Sequence, residues 1–189
     1  MPTPAPAERR RRLARYLLPA LCALGLAGAA ARAENAAAEP KRAAEVAQVV
    51  WGIISYVRWP APHAELHICL AGDTKYADAL LDAPAAGAQP RSRNLRLAAG
   101  AAAPTPEQCQ VLYIGSVADA ERDKLYAQII GRPILAISEP IVPCSVATMF
   151  CLKLRDAQVT FDVNLDAIAR SGLRVHPNAL RIARRSPQP

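Results

Sequence analysis

The sequence predicts an α/β fold, a three-layer sandwich with a mostly parallel sheet and one antiparallel hairpin. Three observations lead there. Strand-like and helix-like segments alternate along most of the chain, the pattern that lays successive strands side by side in a parallel sheet. The segment "CQVLYIG" is apolar nearly throughout and reads as a buried strand. The segment "MFCLKLRDAQVTFDV" reads as two strands joined by a tight turn at Arg155–Asp156–Ala157, which is the hairpin of residues 149–163.

In chain order, residues 34–40 ("ENAAAEP") form a lead-in, and Pro40 stands where a helix can start. Val46, Val49, Val50, Ile53, Ile54 and Val57 then fall at helical spacing, which predicts an amphipathic helix of about five turns. Pro60 disfavours helix at Trp59 and ends it. "ELHICLAGD" alternates Leu66, Ile68 and Leu70 as a strand running into a turn, "TKYADALLD" is a short helix, and "RNLRLAA" is a further strand. "APTPEQ" is a loop marked by its prolines, and "CQVLYIG" follows it. The helix "SVADAERDKLYAQIIG" has Ser116 as its expected cap and Gly131 as its stop. "RPILAIS" is a strand, and the hairpin comes next. The helix "NLDAIARSG" is capped by Asn164 and ended by Gly172, "LRV" is extended, and "PNALRIARR" is the last helix. No internal repeat is visible.

The N-terminus stands apart from this domain. A basic run, Arg9 to Arg12 with Arg15, precedes the apolar stretch "YLLPALCALGLAGAAA", and "ARA" follows before Glu34. These are the three parts of a secretory signal, with export and cleavage after Ala33 expected. The apolar run is short for a spanning helix and contains Pro19. The organisation is therefore a signal peptide at 1–33, the lead-in at 34–40, the α/β domain at 41–184 and a tail at 185–189. The signal holds six of the 23 basic and one of the 16 acidic residues, so the mature part carries a net charge of +2. That removes the electrostatic basis for nucleic-acid binding.

Cleavage leaves four cysteines, Cys69, Cys109, Cys144 and Cys151. Cys144 and Cys151 admit several readings in isolation: a metal clip, a redox pair, a catalytic thiol or a staple. In an exported domain an even count reads as two disulfides, with three possible pairings.

Catalytic signals are missing. "LHICLAGD" has one glycine where a dinucleotide fingerprint needs three. The turn "YIGSVADAE" reads as a plain helix start. His63, His67 and His176 form no spaced pair with one another or with a cysteine, and no C-x-x-C occurs, which speaks against zinc and thioredoxin-like chemistry. No nucleophile elbow or carboxylate cluster stands out. The expectation is a non-enzyme without metal or cofactor. Ligand candidates do exist. Arg174 and His176, at i and i+2 of an extended segment, face one side and suit a carboxylate or phosphate. Arg58, beside Trp59, offers a cation and a stacking face.

The blocks "VVWGIISYVRWP", "LHICLAGD", "CQVLYIGS", "GRPILAISE" and "VTFDVNLDAIARSGLRV…ALRIA", in this order and spacing, resemble the YfiR family over residues 41–184. The resemblance implies a periplasmic repressor that binds the periplasmic sensor domain of an inner-membrane diguanylate cyclase of the YfiN type. Inhibition of the cyclase lowers cyclic di-GMP and with it biofilm and exopolysaccharide output. An outer-membrane, peptidoglycan-binding lipoprotein of the YfiB type relieves the inhibition by sequestering the repressor, and a homodimer is expected. The resemblance also implies the pairing. Cys69 and Cys109 fall in blocks where relatives carry cysteines, which leaves Cys144 with Cys151 as a local addition. His176 and Pro177 depart from the small hydroxyl residues of many relatives. Two other readings accompany this one: a periplasmic module that binds an anion or aromatic metabolite, and a redox sensor acting through its disulfides.

Overall fold

The computed structural model describes residues 39–82, 92–98, 104–105, 107–155 and 158–184. The signal peptide with its cleavage point, most of the lead-in, the turn residues Asp156 and Ala157 and the tail lie outside the described residues. Two compact units part between Lys41 and Arg42, and the second, Arg42–Pro189, holds every strand described.

Helix α1 (39–55) buries Val46, Val50, Ile53 and Ile54, the stripe its apolar spacing predicts. It stops earlier than expected. Tyr56 donates its backbone N–H to Ile53 O at 3.0 Å, and Val57–Arg58 leave the helix as strand β1. Val57 belongs to neither the helix nor a loop. It is a strand residue paired with Val175, and it is buried, so an apolar residue suits that position in either conformation.

The main sheet comprises β2 (Leu66–Ala71), β3 (Ser92–Arg96), β4 (Val111–Ile114), β5 (Leu135–Ser138), β6 (Phe150–Arg155) and β7 (Gln158–Val163). Its order is β3-β2-β4-β5-β6-β7. Neighbours from β3 to β6 run parallel, and only β6 and β7 are antiparallel, as the expected hairpin. Helix α2 (Ala77–Asp82) follows β2, α3 (Asp119–Ile129) follows β4, and α4 (Leu165–Ser171) follows β7. Strand β8 (Arg174–Val175) and a closing 3-10 helix (Pro177–Arg184) complete the unit.

Alternation along the strands separates two cores. Leu66, Ile68, Leu70, Val111, Tyr113, Leu135 and Ile137 belong to one cluster with α1 and α2. Cys69, Ala71, Leu112, Ile114 and Ala136 belong to the other, with Leu125, Tyr126 and Ile129 of α3. The sheet is the middle layer of three.

The chain reverses direction across the sheet between β2 and β4. There the two strand ends cross tightly. Asp73 N–H donates to Ser116 O at 2.9 Å, Ser116 N–H to Asp73 O at 2.7 Å, and Gly115 N–H to Ala71 O at 2.9 Å. Ser116 is thereby committed to the crossing and does not cap α3. The cap position is Ala118, which supplies no side-chain bond. Gly131 follows the helix end at φ +77° and serves as the expected stop. The Asn164 side chain accepts from Ala167 N–H at 3.0 Å, and Gly172 ends α4 in the left-handed region, both as the sequence predicts.

Candidate functional site

Strands β1 and β8 form a two-stranded antiparallel clasp apart from the main sheet, with Val57 opposite Val175 and Arg58 opposite Arg174. One step further, His176 N–H donates to Tyr56 O at 2.9 Å. Side chains alternate across such a ribbon. Val57 turns into the core, and Arg58, Arg174 and His176 are exposed. Arg58 and the Arg174–His176 pair come from opposite ends of the sequence, and this register brings them together.

They line a groove of about 570 Å³ with Ser55, Tyr56 and Asn178. Among the described residues, no carboxylate lines it. Arg58 Nη1 donates to Ser55 O at 3.0 Å and to Val57 O at 2.9 Å, so its guanidinium caps carbonyls at the end of α1. Two like charges directly opposite on paired strands destabilise the pair, and an anion between them offsets the repulsion. The His176 ring stacks on Tyr56, with centroids 5.9 Å apart and planes 27° apart. Its Nδ1 accepts from Asn178 N–H at 3.1 Å.

Trp59 does not stack on a free face of the groove. It is half-buried, its Nε1–H donates to Gln110 O at 3.2 Å, and His63 meets it edge-on at 6.4 Å. With Trp51 it lines a separate cavity of about 550 Å³, of which Arg58 is also a wall.

Two buried polar residues escaped the sequence reading. Glu139, fully buried at the end of β5, accepts from Lys75 N–H at 2.9 Å and Tyr76 N–H at 2.8 Å and so caps the entry to α2. Burial, and then the neighbouring Glu139 charge, push the Tyr113 phenol far above the usual tyrosine range. Gln110, also buried, accepts from His67 N–H at 2.7 Å through its side chain while its backbone oxygen holds Trp59. A carboxylate directly after an apolar strand, as in "LAISEP", was the available signal for Glu139.

The structure bonds Cys69 to Cys109 with Cα atoms 5.8 Å apart, both fully buried under α3. It bonds Cys144 to Cys151 with Cα atoms 5.5 Å apart. Cys144 is exposed and Cys151 buried. Among the described residues, no group of three or more His, Cys, Asp or Glu side chains is placed to hold a metal ion, and no helix is long and apolar enough to cross a membrane.

A YfiR/HmsC-like family model matches residues 43–184 of this chain. The chain belongs to the YfiR/HmsC-like family. The match begins inside α1 and runs to the last residue of the closing 3-10 helix, so it takes in both cores and the clasp. At the family level this makes the chain a regulator of cyclic di-GMP signalling in the periplasm. YfiR-like proteins are regulatory and non-catalytic.

Proposed function

We propose that this protein is an exported repressor of an inner-membrane diguanylate cyclase. It enters the periplasm through the signal at 1–33, cleaved after Ala33, and binds the periplasmic sensor domain of the cyclase. The observation that carries this reading is the family match across residues 43–184. The mechanism is stoichiometric. A protein that binds the inactive cyclase more tightly than the active one shifts the equilibrium toward the inactive state, by no more than its difference in affinity for the two. An outer-membrane lipoprotein that sequesters the repressor returns the cyclase to activity. The repressor works as a homodimer, and cyclic di-GMP, biofilm and exopolysaccharide fall when it is free. Deleting its gene is expected to raise cyclic di-GMP in a strain that carries the cyclase and to change nothing in a strain that lacks it. An unchanged level in the cyclase-bearing strain overturns the proposal.

A second reading sits on the same molecule: a small anion binds the groove at Arg58, Arg174 and His176 and biases the repressor. The directly opposed arginines favour it. Calorimetry with inorganic sulfate as the probe is expected to give binding that falls at least about tenfold in Arg174→Ala and in His176→Ala, since a charged hydrogen bond is worth roughly 1.5–3 kcal/mol. Unaltered binding in both variants removes this site.

A further inference from the structure

The anion reading leaves His176 with two incompatible duties. Its Nδ1 accepts the Asn178 N–H at 3.1 Å, two residues along, and so caps the first turn of the closing 3-10 helix. An accepting Nδ1 carries no proton, so the proton of the neutral ring sits on Nε2. A hydroxyl or amide side chain performs this capping duty at every pH. An imidazole performs it only while neutral, because protonation places an N–H where the lone pair was.

Among the described residues that line this groove and the adjoining one, the Lys, Arg, Asp and Glu side chains present are all arginines. Arg58 lines the same groove from β1, Arg174 lies two residues back on β8, and Arg181 follows on the 3-10 helix beside the adjoining groove. Tyr56, from the end of α1, supplies the stacked ring. Among the described residues, no carboxylate lines either groove. With the groove empty, Nδ1 is committed to the Asn178 N–H. An anion in the groove adds negative charge beside the ring, which favours an imidazolium that donates to the anion and releases Asn178.

We infer that His176 makes the groove a proton-linked anion site, in which anion binding takes up a proton and trades the Asn178 cap for a bond to the ligand. The inference rests on the anion reading of the groove. Its sign follows from linkage. A proton and an anion that each favour the other's binding give an affinity that is highest at low pH and falls as pH rises through the histidine range. The ligand class is an oxyanion such as a sulfate, a phosphate or a carboxylate.

Sulfate is the probe, because it does not change charge across this range. Titrated into the full mature protein at about pH 5.5 and about pH 8, it is expected to bind about tenfold tighter at the lower value. In His176→Asn, whose side-chain oxygen retains the cap and does not titrate, the two affinities are expected to be equal. In the sulfate-free protein, the Asn178 amide resonance is expected to follow the His176 ring titration. Binding that is independent of pH in the wild type, or equally pH-dependent in His176→Asn, overturns the proton linkage and leaves the groove standing if Arg174→Ala still weakens sulfate. An Asn178 amide that ignores the His176 titration overturns the cap exchange. No sulfate binding at either pH overturns both the linkage and the groove.

Discussion

Gly115→Ala is expected to destabilise the domain by at least about 3 kcal/mol, read as a fall in Tm of roughly 6–12 °C. The reason lies at the crossing of β2 and β4. A Cβ on Gly115 would be driven into the carbonyl of Asp73, whose oxygen already accepts from Ser116 N–H at 2.7 Å. Those atoms are backbone and cannot swing aside as the end of a long side chain can. Relief requires parting strands whose neighbouring residues are buried on both faces of the sheet. Gly72→Ala meets the carbonyl of Ser116 from the other side and adds a left-handed φ of +75°, which costs a non-glycine residue about 1–2 kcal/mol more. A Gly131→Ala control also has positive φ, at +77°, but its nearest neighbour would be Arg170 O at 4.0 Å. It is expected to lose only the conformational part. A Gly115→Ala protein that melts within about 2 °C of the wild type would show that the crossing is looser than these contacts require.

The second large effect is the ranking of the two disulfides. Removing the Cys69–Cys109 bond, which spans 40 residues, is expected to cost about 4 kcal/mol in the chain-entropy account. Removing Cys144–Cys151, which spans 7, is expected to cost about 2.5 kcal/mol. Placement widens the gap. Cys69 and Cys109 are fully buried, so Cys69→Ser/Cys109→Ser also buries two hydroxyls in an apolar cluster, whereas Cys144 is already exposed. Cys69→Ala/Cys109→Ala separates the two causes. Melting curves of the pairwise variants decide the ranking, and a larger loss from Cys144→Ser/Cys151→Ser overturns it. The same placement predicts the order of reduction: dithiothreitol reaches the sulfur of Cys144 while the fold is intact, and the buried pair only after it opens.

Local chemistry was legible in the sequence, and long-range register was not. Asn164 and Gly172 bracket α4 because a cap and a stop act on their own helix within a few residues. The alternation of "FCLKLR" and "QVTFDV" marks the hairpin for the same reason. Val57 misled because position i+11 of a helix stripe and an inward position of a clasp strand both demand an apolar side chain. Ser116 misled because a serine before a helix is an ordinary cap, and only the return of Asp73 in space assigns its backbone elsewhere. The site divides along the same line. Arg174 and His176 share a face by the two-residue period alone. Arg58 joins them through pairing with the far end of the chain, and Glu139 finds its donors at Lys75 and Tyr76, on a different loop.

The clasp and the closing helix have a kinetic consequence. Val57 waits for Val175, and Gly52 on α1 packs against Ile182, so the first and last elements of the domain complete each other. Contacts of such wide sequence separation form slowly, because the loop between them must be ordered first. On the export proposed above, a chain threaded with its N-terminus leading would not close this domain until its final residues emerge. On that proposal the clasp and the groove would be the last parts of the domain to assemble, after the rest of the chain has crossed.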